Sequence, residues 1–171
     1  MASLMEDLLN TLEGESVLYE QLYELSQRKT GIIVRGDIPA LEKITDEEQT
    51  VVSQISHIDN KREAVTKDIA DVLNKDVETL KLSNLAEMLS NQKAEHDRLV
   101  NVAEKLKTTV RNIRRINDQN RELIKTSLEM VEFDMNLVRS MKQAPQTANY
   151  GRSATSTGGM LGARGGFDAK Q

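Results

Sequence analysis

The feature that most constrains this chain is one long amphipathic stretch between Leu99 and Met141. Its stripe alternates in steps of three and four residues, the spacing that keeps one seam of an α-helix facing a partner helix. A helix of about 40 residues rises roughly 60 Å and is not stable alone as a monomer in water, so something must cover the seam. The stripe residues are Leu99, Ala103, Leu106, Val110, Ile113, Asn117, Asn120, Ile124, Ser127, Val131, Asp134, Val138 and Met141.

Two helices are predicted to precede this stretch. The first should end near Arg35, because Gly36 is typical of the position after a helix and Asp37-Ile38-Pro39 is typical of a helix start. The second has a regular apolar period from Leu41 to Val72. The short connection between them predicts antiparallel neighbours. The sequence leaves open whether a short helical piece at 84–90 joins the long helix.

These elements predict an all-α fold, an antiparallel, coiled-coil-like bundle of three long helices with a short fourth piece as an option. We expect the bundle to occupy residues 1–142. Residues 143–171 contain six of the nine glycines and little apolar content. Burial there cannot offset the entropy of ordering the chain, which predicts a flexible C-terminal tail.

Composition and motifs exclude several classes of function. The net charge of −4 argues against a nucleic-acid-binding protein. The chain has no Cys and no apolar run near 18 residues, and its N-terminus lacks the basic start of a signal peptide. We therefore expect a cytosolic protein without membrane insertion. No catalytic, phosphate-binding or metal-ligand motif is present, so we expect neither an enzyme nor a cofactor or metal.

Two groups of polar residues leave alternatives open. His57 and His96 are either solvated side chains or, for His96, a phosphotransfer site on a helical bundle. A basic run on the long helix is expected to pair either with acidic residues of the first two helices or with an acidic partner; its members are Lys107, Arg111, Arg114, Arg115, Arg121 and Lys125.

A polar break in the apolar stripe is the most informative feature for function. Asn117, Asn120 and Ser127 occupy stripe positions next to apolar residues. They are either core polar residues that fix helix register or part of an open groove in which amides bond to a docked helix. Met residues follow on the same helix, and Met is frequent on surfaces that accept helical partners.

The run Ile116 to Leu128 resembles the N-x-x-N-x-x-L-[I/L]-x-x-S-L pattern of FlgN-type flagellar export chaperones. The segment Gly36-Asp37-Ile38-Pro39-Ala40-Leu41 is similar to the G-D-L-x-x-L start of the family's second helix. Tyr150-Gly151 and Phe167-Asp168 resemble its C-terminal segment. The order and spacing of these matches extend over most of the chain.

This resemblance implies a cytosolic chaperone that binds the terminal amphipathic helices of hook-associated, FlgK-like and FlgL-like proteins, prevents premature association and delivers them to the export gate. It also implies that Tyr150 docks to the gate protein FlhA. A homodimer is an option for the chaperone when no client is bound. The alternative is a structural coiled-coil adaptor or homodimer without cargo exchange. The residues implied to contact cargo are Ile116, Asn117, Asn120, Leu123, Ile124, Ser127, Leu128 and Val131.

Overall fold

The computed structural model of the chain describes residues 2–77, 80–90 and 92–143. These residues form four helices and no strand: α1 (Ala2–Arg35), α2 (Ile38–Leu73), α3 (Leu82–Met88) and α4 (Lys93–Gln143). The predicted all-α fold with three long helices and a short fourth is confirmed. The short helix does not join the long one, because α3 ends at Met88 and α4 begins at Lys93.

A tight turn joins α1 to α2 where the sequence predicts it. Gly36 has a positive φ of 65°, which costs glycine nothing. The Gly36 and Asp37 amides donate to the carbonyls of Ile33 and Ile32 (3.0 and 3.3 Å), the Schellman pattern that ends a helix. The Asp37 carboxylate then accepts the Ala40 amide at 3.0 Å and caps α2. The chain therefore reverses within two residues.

The contacts between α1 and α2 show that the two helices are antiparallel. Glu48 of α2 pairs with Lys29 (2.7 Å), whereas Arg62, farther along α2, pairs with Glu15 (3.2 Å). Gly14 lies under α2, since a Cβ at this position would come within 2.9 Å of the Ile58 Cδ1 atom. The small residue thus permits close packing of the two helices.

Two apolar clusters form the core, one at each end of the α1–α2 pair. The cluster near the start of α1 collects buried residues from all four helices, among them Leu8, Ile69, Leu85 and Leu99. The other cluster is built from α1 and α2 alone; its buried members are Leu25, Ile32, Ile44, Val51 and Ile55. A polar layer with buried Glu15 and Ser16 lies between them in sequence. The first cluster therefore ties α3 and the start of α4 to the bundle.

Helix α4 runs parallel to α1, as the polar contacts between them show. Arg98 bonds to Glu13, Lys105 pairs with Glu20, and Asn120 bonds to Thr30, so residue numbers rise together along both helices. Residues bonded across this pair of helices are 85 to 94 positions apart in sequence. Adding the same offset to the last residue of α1, Arg35, reaches residues 120–129 of α4. The end of α1 is therefore level with this part of α4.

The described residues fall into two units, divided between residues 130 and 131 inside α4. The first unit contains α1, α2, α3 and most of α4. Of the second unit the structure describes residues 131–143, which are helical. The predicted tail lies outside the described residues except for Gln143, the last residue of α4.

Candidate binding surface on the C-terminal helix

A cleft lies between α2 and α4, with α1 as its floor, at the position of the predicted polar break. It has a volume of about 490 Å³ and is lined by Leu22, Ser26, Lys29, Thr45, Glu48, Gln49, Val52, Asn117, Asn120, Arg121 and Ile124. We call it the polar cleft. Three of the eight predicted cargo-contact residues therefore share one cleft, Asn117, Asn120 and Ile124.

Asn120 is held inside the bundle by α1. Its side chain is only 4% exposed. The Asn120 Nδ2 donates to the Ser26 carbonyl at 3.0 Å, and the Thr30 hydroxyl donates to the Asn120 Oδ1 at 2.7 Å. Both halves of the amide are satisfied by α1, which favours the register-fixing interpretation for this residue.

The remaining predicted contact residues differ in exposure along α4. Ile116, Leu123 and Ile124 are half-buried, whereas Asn117 is exposed. Ser127 is exposed, and its hydroxyl donates to the Leu123 carbonyl within the same helix (2.9 Å). Leu128 and Val131 are 61% and 55% exposed. The structure therefore gathers the early residues near α1 and leaves the last ones open.

The end of the first unit and the helix of the second both carry exposed apolar side chains. All described residues from 125 to 143 are exposed. In the first unit these include Leu128 and Met130, and in the second they are Val131, Phe133, Met135, Leu137, Val138 and Met141. We call this set the exposed apolar row. It departs from the normal pattern of single, scattered surface hydrophobic residues, which marks it as a candidate interaction site.

A second cleft lies farther toward the start of α1, between α1, α2 and α4, and Leu82 of α3 also lines it. It has a volume of about 470 Å³ and is lined by Leu12, Glu15, Tyr19, Arg62, Leu82, Ala103, Leu106, Lys107, Val110, Arg111 and Arg114. We call it the basic cleft. Three cations from α4 line it, and they belong to the basic run of the sequence.

A partly buried ion pair sits in the wall of the basic cleft. The Arg62 Nε lies 3.2 Å from the Glu15 Oε2, without the alignment of a hydrogen bond, and Arg62 also bonds to Asp59. Burial raises the pKa of Glu15 above its ordinary value of 4.5, while the charge of Arg62 opposes the rise in pKa. Desolvation therefore outweighs the ion pair at this site.

The expected pairing of the basic run with acids of the first two helices is wrong for the described residues. Glu13 and Glu20 pair instead with Arg98 and Lys105, which lie outside that run. Arg98 makes a two-pronged contact with Glu13 (3.0 and 3.1 Å) and also bonds to Glu6, and these hydrogen bonds raise its pKa. The planar guanidinium of arginine is suited to such paired hydrogen bonds, which fix the position of α4 along the axis of α1.

The histidines show no arrangement that suggests chemistry. His57 is exposed, and the His96 Nδ1 lies 3.2 Å from its neighbour Asp97. Among the described residues no cluster of three or more His, Asp or Glu side chains could hold a metal ion. No helix in this part of the chain is long and apolar enough to span a membrane.

Sequence reasoning missed two aspects of the site. Ser26 and Thr30, which hold Asn120, are small polar residues inside the amphipathic pattern of α1, and nothing in the sequence pairs them with a residue about 90 positions away. Phe133, at 67% exposed, lies outside the apolar stripe. A bulky aromatic residue off the seam of a polar helix was the signal that could have revealed a wider apolar surface.

Together these observations define a class of protein, a helical bundle whose longest helix carries exposed apolar side chains and which therefore suits binding of another helix. Comparison with protein families gives the family: the model of the FlgN protein family matches residues 1–158. The chain belongs to the FlgN family, and the suspected resemblance is confirmed. It is a flagellar export chaperone in the general sense that this family defines. No match was found among curated proteins, and none among solved structures.

The buried amide of Asn120 should be measurable as stability. Replacing Asn120 by Ala removes the side-chain amide that bonds to the Ser26 carbonyl and the Thr30 hydroxyl, at a cost of about 1–3 kcal/mol in the free energy of unfolding. Asn117→Ala, on the exposed side of the same helix, should change the free energy of unfolding by less than about 0.5 kcal/mol. Urea denaturation followed by circular dichroism measures both. Equal effects of the two substitutions would contradict the buried placement of Asn120.

The raised pKa of Glu15 should make stability depend on pH in a particular direction. Between its ordinary pKa and its higher folded-state pKa, the folded protein retains a proton that the unfolded chain releases. The contribution of Glu15 to the free energy of unfolding therefore falls as pH rises through this window. From about pH 4 to about pH 7, the free energy of unfolding of Glu15→Gln should rise relative to that of the unchanged protein. A difference that is constant or falls with pH would contradict this assignment.

Proposed function

We propose that this chain is a cytosolic export chaperone that binds the terminal amphipathic helices of hook-associated, FlgK-like and FlgL-like proteins. It prevents their premature association and delivers them to the flagellar export gate. The single observation that carries the proposal is the exposed apolar row of α4, which a client helix would cover.

The geometry of the row supports binding of a helix. Leu128, Val131 and Met135 are spaced by three and four residues, so they share one face of α4. Val138, another three residues on, extends the same face. An amphipathic client helix inserts anchors at this spacing between the side chains of a partner helix. Met135 and Met141 are flexible and polarisable, which suits clients with different sequences.

The sequence-predicted contact residues take two roles in this proposal. Leu128 and Val131, with the exposed Asn117 and Ser127, contact the client. Ile116, Leu123 and Ile124 are half-buried and contribute only their exposed edges. Asn120 acts through α1, by fixing the register that sets where α4 is left uncovered. The proposal accordingly places client binding mainly after Ile124.

Release of the client would occur by mass action. Because no nucleotide-driven step releases the client, the affinity for the client must be modest enough for handover. Ordering a client terminus that is disordered before binding lowers the net affinity, because the ordering entropy opposes the contacts formed. The chaperone would thus bind an apolar helix selectively and reversibly.

Charge substitution in the exposed row should abolish client binding without unfolding the bundle. Leu128→Asp and Val131→Asp each place a carboxylate where an apolar anchor should be desolvated. We expect capture of a FlgK-like protein to weaken by at least about tenfold, equivalent to about 1.4 kcal/mol. Isothermal titration calorimetry measures the affinity, and circular dichroism should show unchanged helix content because both side chains are exposed.

Two controls define what would contradict this prediction. Glu132→Gln, also exposed on the same helix, should leave capture unchanged. Sedimentation of the free protein tests whether a second copy covers the row instead. A dimer that persists with excess client would support the structural adaptor, and undiminished capture by both Asp variants would show that the client binds elsewhere.

We propose that residues 1–142 form the chaperone domain and that the segment after them docks to the export gate through Tyr150. Tyr150 lies outside the described residues, and the proposal rests on the resemblance of the C-terminal segment to that of the family. Tyr150→Ala should spare client capture and reduce binding to the cytoplasmic domain of FlhA in a pull-down. Tyr150→Phe tests whether the hydroxyl group is needed. Loss of client capture in Tyr150→Ala would contradict this separation of roles.

A further inference from the structure

The three cations of α4 in the basic cleft are arranged along one rim. Lys107, Arg111 and Arg114 are spaced by four and three residues, so they form a row two turns long, about 10 Å at 1.5 Å per residue. All three are exposed. Lys107 has a distant contact with Glu104 on its own helix at 4.0 Å. Arg111 and Arg114 form no ion pair within the described part of the chain.

Three acids of α1 that could neutralise this row are engaged elsewhere. Glu15 pairs with Arg62 on the opposite rim, and Arg62 also bonds to Asp59. Glu13 and Glu20 are taken by Arg98 and Lys105. The cleft thus carries a local positive surplus on a chain whose net charge is −4. A concentration of one charge against the overall sign attracts the opposite charge in a partner.

The floor of the basic cleft is apolar. Leu12 is buried, Ala103, Leu106 and Val110 are half-buried, and Leu82 of α3 closes one side. A cleft that combines an apolar floor with a cationic rim matches an amphipathic helix with an acidic flank. A nucleic acid fits less well, because Tyr19 is the single aromatic residue of the lining and there is no series on which bases could stack.

We propose that the basic cleft is a second docking site, separate from the exposed apolar row, for an acidic amphipathic helix of a partner protein. Apolar side chains of this helix lie against Leu106 and Val110. Its carboxylates, at i, i+4 and i+7, lie beside Lys107, Arg111 and Arg114. The basic cleft and the exposed apolar row share no residue, so substitutions can test the two sites separately.

A pair of synthetic helices tests this proposal. The first probe is a fluorescent peptide of about 18 residues, above the length at which isolated helices become marginal, with Leu on one face and Glu at the flanking positions. The second has Lys at every Glu position. At low salt the acidic probe should bind about tenfold more tightly than the basic probe in fluorescence anisotropy, and the difference should shrink as ionic strength rises. Equal binding of the two probes would overturn the proposal.

Charge reversal separates the cleft from the general charge of the helix. Arg111→Glu with Arg114→Glu should weaken binding of the acidic probe by about tenfold and strengthen binding of the basic probe. Arg115→Glu with Lys125→Glu changes the net charge equally at exposed positions that line neither cleft, and should have a much smaller effect. Equal effects of the two pairs would overturn the site.

Two further measurements complete the test. Leu128→Asp should bind the acidic probe normally, so failure of the client proposal and failure of this one are distinguishable. A short single-stranded RNA should not displace the acidic probe. Displacement at similar affinity would show a general polyanion surface and would overturn the assignment to an acidic helix.

Discussion

The structure depends on a difference in length between helices that pack side by side. Gly36 ends α1 by adopting a left-handed conformation, and the capped start of α2 follows immediately. Helix α4 runs parallel to α1, and its residues 120–129 are level with Arg35, the last residue of α1. All described residues of α4 after Ile124 are exposed, and several of them are apolar. Burying them would stabilise a complex by roughly 25 cal/mol for each Å² of apolar surface removed from water, before the entropy of association is deducted.

The same residues of α4 remain exposed only if α4 cannot slide along α1. Two different interactions prevent such movement. The Arg98 guanidinium donates hydrogen bonds to Glu13 and Glu6 near the start of α1. The Asn120 amide bonds to Ser26 and Thr30 near the end of α1. The exposed ion pairs of Arg98 fix the position of α4 along α1 but add little to the free energy of unfolding. The buried amide penalises any shift, because a displaced Asn120 would leave polar groups unpaired inside the bundle.

Much of the fold could be predicted from the sequence because its signals are local. The apolar period identified the long helices, and Gly36 with Asp37 located the turn between them. The separation of α3 from α4 could not be predicted, because no Pro or Gly marks it. The candidate site was harder to predict. Asn117, Asn120 and Ser127 all occupy polar positions in the apolar stripe, yet of these three only Asn120 is buried. That distinction depends on residues of α1 that are distant in sequence.

The same limitation affected the charged residues. The basic run and the acids of α1 suggested a matching pair of surfaces, but helix rotation and register decide which side chains meet. Arg98 and Lys105, outside that run, form the ion pairs with the carboxylates of Glu13 and Glu20. Lys107, Arg111 and Arg114 were left facing a cleft. A sequence pattern thus identifies which helix is charged, whereas the packing determines which charges remain for a partner.

Amide hydrogen exchange of the free and client-bound protein tests the central claim most directly. In the free protein, amides of residues 125–143 should exchange much faster than those of α4 before Asn120, because their side chains are exposed. A FlgK-like client should slow exchange mainly at residues 125–143 and leave the part of α4 before Asn117 unchanged. Strong protection of residues 125–143 in the free monomer would contradict the account, since their apolar side chains would then already be covered.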